Sequence, residues 1–113
     1  MINELEQLET RLEQICGTDV NVLMLKGRQY GNSWKKRGGV GALMTTARKW
    51  DRIENIVGRH KYDIFEACLD SYEDREGLLD DIADLRRYLL LVEDEVRQIY
   101  SNQFDGTNIG LSE

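Results

Sequence analysis

An all-α fold, a bundle of four or five helices, is what this sequence predicts, and three observations predict it. Apolar residues recur at three- and four-residue intervals in several long stretches. No stretch alternates apolar and polar residues convincingly enough for a strand. Proline is absent from all 113 residues, so no helix interior is broken that way.

The elements follow in order. ELEQLETRLEQI sets Leu5, Leu8, Leu12 and Ile15 at 3-4-3 spacing behind Asn3, a good cap residue. This predicts an amphipathic helix from about Asn3 to Cys16, ended by Gly17, so that residues 1–17 form an N-terminal piece. Its narrow seam can pack on the chain's own core or on a partner subunit. Thr18 or Asp19 caps a second, short helix running to about Lys26 or Tyr30. YGNSWKKRGGVG then loosens, with Gly31, Gly38, Gly39 and Gly41 interrupting any pattern. From about Gly41, ALMTTARKWDRIENIV regains helical spacing through Leu43, Ala47, Trp50 or Ile53, and Val57, and Gly58 ends it. Another helix covers Tyr62 to Leu69. Ser71 with Asp74 resembles a capping box and opens the last and longest helix, from about Tyr72 to Asn102. Residues 103–113 read as a loose tail. The length predicts a single helical domain over 1–113.

Composition narrows the class. Apolar residues make up 41% and charged residues 32%, a balance that suits a globular protein rather than a disordered one. No apolar run approaches the ~18 residues of a membrane span, and the acidic N-terminus lacks the character of a signal peptide. A cytoplasmic protein is expected. Cys16 and Cys68 stand apart without metal-ligand spacing, and are expected to be buried, reduced thiols.

Charge is unevenly spread. Residues 1–25 carry five acids and one base, residues 26–61 ten bases and two acids, and residues 62–113 fourteen acids and four bases. The basic middle suits phosphate, whereas the acidic remainder would repel a long polyanion, so duplex nucleic acid is not the expected partner. A small phosphorylated ligand fits the balance better. Lys35, Lys36 and Arg37 precede glycines whose N–H groups can approach an anion at a helix start. Tyr30 and Trp34 flank that loop, as stacking platforms for a base or as core residues. Arg48, Lys49 and Arg52 crowd the following helix.

Four acids complete the constellation. Asp51 and Glu54 share one helix face at i, i+3. Asp81 and Asp84 share another, together with Tyr88 and Glu95, on one flank of a predicted core stripe of Leu78, Ile82, Leu85, Leu89, Val92 and Val96. Two such pairs can converge on Mg²⁺, which prefers oxygen ligands. They can equally be spent on salt bridges to neighbouring bases. His60, the only histidine, has no acid or serine at useful spacing and reads as a surface residue.

YGNSWKKRGGVGALMTTARKWDRIENIV and LLDDIADLRRYLLL together resemble the nucleotide modification associated domain of phages and bacteria. That family is similar in turn to MazG-like all-α nucleoside triphosphate pyrophosphohydrolases. The resemblance covers roughly Tyr30 to Glu95 and is most specific at KWDRIEN. It implies a MazG-like bundle, a nucleotide ligand, and Mg²⁺ held by Asp51 with Glu54 and Asp81 with Asp84. Asp stands at 51 and 81 where that pattern usually has Glu, a shortening of about 1 Å in reach, to which catalysis is sensitive. The expectation is therefore a phage-type nucleotide-binding protein in the host cytoplasm, holding a nucleotide or nucleotide-derived signal and possessing an anti-defence use if it sequesters one. The alternatives are a Mg²⁺-dependent (deoxy)nucleoside triphosphate pyrophosphohydrolase and a helical protein-interaction module. Spare apolar surface predicts a homo-oligomer, a dimer or tetramer.

Overall fold

The computed structural model describes residues 3–103. The predicted tail lies outside them, apart from its first residue, Gln103. The described residues are helical, as expected: α1 spans Glu4–Tyr30, α2 Gly38–Gly58, α3 Ile64–Asp70 and α4 Tyr72–Gln103, with one 3-10 turn at Ser33–Lys35. No described helix is long and apolar enough to cross a membrane. The chain divides into two compact units, Met1–Gly38 and Gly39–Glu113.

In the first unit, α1 opens on a full capping box. Asn3 Oδ1 accepts from the Glu6 N–H at 2.8 Å, and the Asn3 N–H donates to Glu6 Oε1 at 3.1 Å. Two orphan amides of the first turn are thereby satisfied. Where the sequence predicted a break at Gly17, the helix runs on for 27 residues. A mid-helix glycine costs only about 1 kcal/mol relative to alanine, and the thirteen helical residues on either side of Gly17 outweigh it. The true end is Gly31, whose φ of +60° a side chain would resist and whose N–H returns to the Gly27 carbonyl at 2.9 Å. Cys16 is exposed rather than buried, and Cys68 is half-buried; both are free.

The second unit is a small helical bundle of α2, α3 and α4. Its core joins Ile53 and Val57 of α2 to Ala67 of α3 and Leu78 of α4, with Ile56, Ile64, Ile82 and Leu85 packed around them. The i, i+4 spacing of Ile53 and Val57 gives α2 one apolar edge, which meets Ala67 and Leu78 in the core, while α3 packs chiefly on α4. The Tyr62 N–H reaches back to the Val57 carbonyl at 3.0 Å to close α2, with Lys61 and Tyr62 both in the left-handed region. Asp63 then caps α3, its Oδ1 accepting from the Phe65 and Glu66 amides at 3.0 Å each. Ser71 Oγ accepts from the Asp74 N–H at 3.2 Å and starts α4 where the sequence placed it.

The core stripe of α4 matches the predicted one only in part. Leu78 is fully buried and Ile82 and Leu85 are half-buried, but Leu89 and Val96 are exposed, whereas Asp81 and Tyr88 are buried. Leu78, Ile82 and Leu85 of the predicted stripe do pack in the core, and Asp81 and Tyr88, expected on its flank, are buried beside them. The predicted stripe fails further along, at Leu89 and Val96. Trp50, which the sequence favoured as core, is 54% exposed.

Candidate functional site

The face that α2 turns toward α4 is set by Lys49, Arg52, Ile53 and Ile56, recurring at three- and four-residue steps. Ile53 and Ile56 supply packing. Lys49 and Arg52 supply charge, and both meet acids of α4. Arg52 Nε lies 3.2 Å from Asp81 Oδ1, and Lys49 Nζ lies 3.6 Å from Asp84 Oδ2. Lys49 Nζ also stands 5.8 Å from the centre of the buried Tyr88 ring. The resulting line of contacts runs along α4 at Asp81, Asp84 and Tyr88.

The Arg52–Asp81 pair is asymmetric. The Asp81 side chain is 8% exposed and that of Arg52 is 70% exposed. A nearly buried carboxylate thus holds one edge of a guanidinium whose other N–H groups face solvent, and a planar fork of that kind suits phosphate or carboxylate oxygens. In front of it opens a cleft of about 320 Å³ lined by Arg52, Asn55, Ile56, Gly77, Asp80 and Asp81. Gly77 contributes no side chain to its wall, and a Cβ there would stand 3.5 Å from Ile56 Cδ1, an ordinary contact.

Asp51 and Glu54 are exposed and line a different cleft, of about 520 Å³, with Asn55, Gly58, Arg59 and Tyr62. Residues 49 and 52 face α4, so 51 and 54 belong to another flank of the same helix. Among the described residues no group of three or more histidine, cysteine, aspartate or glutamate side chains could hold a metal ion. The two predicted acid pairs are not drawn into one shell here, and Asp81 and Asp84 have cations as partners. In this arrangement Arg52 and Lys49 occupy Asp81 and Asp84, and the four acids do not form one ligand shell.

The remaining expected residues lie as follows. Arg48 is exposed, with Nη2 donating to Thr45 Oγ1 at 3.3 Å. In the first unit Tyr30, Lys36 and Arg37 are exposed, while Trp34 and Lys35 are half-buried, with Lys35 Nζ 6.0 Å from the Trp34 ring centre. Tyr88 is too buried to offer its ring to a base.

His60 corrects the sequence reading. Its side chain is only 11% exposed, with Nε2 at 2.7 Å from Asp74 Oδ2 and Nδ1 at 3.0 Å from Asp70 Oδ2. Arg59 Nη2 reaches the other Asp74 oxygen at 2.8 Å. Both ring nitrogens are engaged, so the imidazole ties α3 and α4 to the end of α2. The signal was present only as Asp70 and Asp74, ten and fourteen residues away across two turns.

No protein family, no curated protein and no solved structure matches the chain. The class that fold and site define is an all-α protein with a basic helix face set against an acidic one.

Proposed function

We propose that this protein binds a small phosphorylated nucleotide, or a signal derived from one, through the basic face of α2, and holds it without hydrolysing it. The observation that carries the reading is Arg52: a guanidinium anchored on one edge by a buried carboxylate, open on the other, and fronting a cleft. That cleft is at the small end of the roughly 300–1,000 Å³ range of ligand sites. Lys49 beside it and Arg48 on the adjoining face extend the positive surface. Separation of Asp51 and Glu54 from Asp81 and Asp84 favours binding over Mg²⁺-dependent hydrolysis. On the resemblance noted in the sequence, the protein is phage-encoded, works in the host cytoplasm as a homo-oligomer, and sequesters a defence signal.

Calorimetric titration tests this with nucleoside mono-, di- and triphosphates and a cyclic dinucleotide, at low salt and without Mg²⁺. At least one should bind, and Arg52→Ala should weaken it by about tenfold, the loss of one charge-assisted contact. No heat from any of them at millimolar concentration overturns the reading. Release of pyrophosphate from a triphosphate once Mg²⁺ is added replaces it with the hydrolase.

A further inference from the structure

The fold has no need of a glycine at position 77. Gly77 lies within α4, in a helix where alanine is the more favourable residue. Its φ is not in the left-handed region, and a Cβ there would meet only Ile56 Cδ1, at 3.5 Å, an ordinary contact. Alanine would therefore fit and would strengthen the helix. What glycine leaves instead is open floor. In the cleft fronted by Arg52, Ile56 and Gly77 are half-buried, whereas Arg52, Asn55 and Asp80 stand exposed around them.

That cleft has two chemically different ends. Arg52 meets Asp81, and Ile56, four residues further along α2, adjoins Gly77, four residues earlier in α4. The two helices therefore run antiparallel here, and the two contacts are about 6 Å apart along the axis. Side chains on a helix lean toward its N-terminus, over the preceding turn. Asn55 accordingly leans over Arg52, and Asp80 leans over Gly77. Neither Asn55 nor Asp80 has a hydrogen-bond or ion-pair partner among the described residues. One end thus offers N–H donors, from the Arg52 guanidinium and the Asn55 amide, to an anion. The other offers a small apolar floor overhung by a carboxylate, which only accepts hydrogen bonds when ionised.

We propose that this cleft takes a guanine nucleotide, its phosphate on Arg52 and Asn55 and its base laid on Ile56 and Gly77, with the Asp80 carboxylate on the base edge. Guanine presents two neighbouring N–H groups, N1–H and the 2-amino group, and one carboxylate accepts both. Adenine and cytosine place a ring-nitrogen acceptor beside their amino group, and uracil flanks its single N–H with two carbonyls. Each of these meets Asp80 with a lone pair as well as a donor. An acceptor facing a carboxylate costs affinity, and a polar site rejects the wrong ligand in this way. Gly77 then sets specificity as well, because any side chain there raises the floor under the base. This assignment rests on the nucleotide reading above and names the base.

Calorimetric titration of the full chain with the four nucleoside 5′-monophosphates and their triphosphates, at low salt without Mg²⁺, tests it. The guanine member of each set should bind at least about tenfold more tightly than the others, the equivalent of one charge-assisted contact. Asp80→Asn should remove most of that preference, because an amide turns one acceptor oxygen into an N–H₂ donor that faces the donors of guanine. Gly77→Ala should weaken guanine binding at least about tenfold while raising the urea midpoint, a combination that damage to the fold cannot produce. Nucleotide binding without preference for guanine, a preference that survives Asp80→Asn, or a guanine affinity indifferent to Gly77→Ala overturns this assignment alone. Absence of heat from every nucleotide overturns it together with the nucleotide reading.

Discussion

The imidazole of His60 and the carboxylate of Asp74 are 2.7 Å apart, and each is gripped from its other side, His60 by Asp70 and Asp74 by Arg59. The hydrogen bond to Asp74, then that to Asp70, raise the histidine above its ordinary 6.5, against the opposing effect of burial. Bonds from His60 and then Arg59 hold Asp74 below its ordinary 3.8. A raised histidine contributes stability that is complete below about 6.5 and is lost as pH climbs through the higher folded value. A lowered aspartate contributes stability present above about 3.8 and lost as pH falls through the lower folded value. The cluster therefore stabilises most between those limits. Thermal unfolding followed from pH about 6 to 9 should show Tm falling in the wild type and a flatter profile in His60→Gln. Parallel profiles would remove this role from His60.

The Arg52–Asp81 pair should be worth more than an ordinary surface ion pair and less than a buried one. Arg52→Ala leaves the buried Asp81 carboxylate without its cation, and should cost about 1–2 kcal/mol in urea unfolding after allowance for the exposed arginine. Asp81→Asn in that background should recover part of the loss. A double-mutant cycle with no coupling would contradict the pairing.

On the proposed nucleotide reading, Arg48→Ala should weaken binding while leaving helicity and Tm unchanged, because its side chain is exposed. The loss should be largest at low salt and shrink as the salt concentration rises. Unchanged low-salt affinity would make Arg48 a solvated surface residue only.

Lys61 adopts φ of +59°, a conformation that costs a residue with a side chain about 1–2 kcal/mol. Lys61→Gly relieves it but adds freedom to the unfolded chain. A net gain of up to about 1 kcal/mol is expected, read from the urea midpoint. A loss beyond about 1 kcal/mol would mean that the Lys61 side chain has a structural role.

Which parts of this fold were legible depends on how local their causes are. The start of α4 was readable because Ser71 and Asp74 make their cap within four residues. The start of α1 was readable from Asn3 for the same reason. Gly17 misled because a glycine is a stop signal only where the chain also turns, and α1 has no reason to turn there. The α4 stripe was right at Leu78, Ile82 and Leu85 and wrong at Leu89 and Val96, because apolar spacing does not tell where along a long helix the packing partner ends. His60 was missed because its partners come from two other helices, and the two left-handed residues that deliver them leave no mark in a pattern of types. Lys49 and Arg52 were named as a basic cluster, but which acids they meet was left open between neighbours on α2 and more distant ones. Their pairing across to α4 depends on which edge Ile53 and Val57 bury.

Gly17 divides α1 into two equal halves. Either side of it lies a stretch of about a dozen residues, near the length at which a helix on its own is only marginal in water. The residue least favourable to the helix sits at its centre, two residues from Asp19, the one buried side chain of α1. Amide exchange at Gly17 should therefore be faster than in the flanking turns unless the burial of Asp19 holds the centre closed.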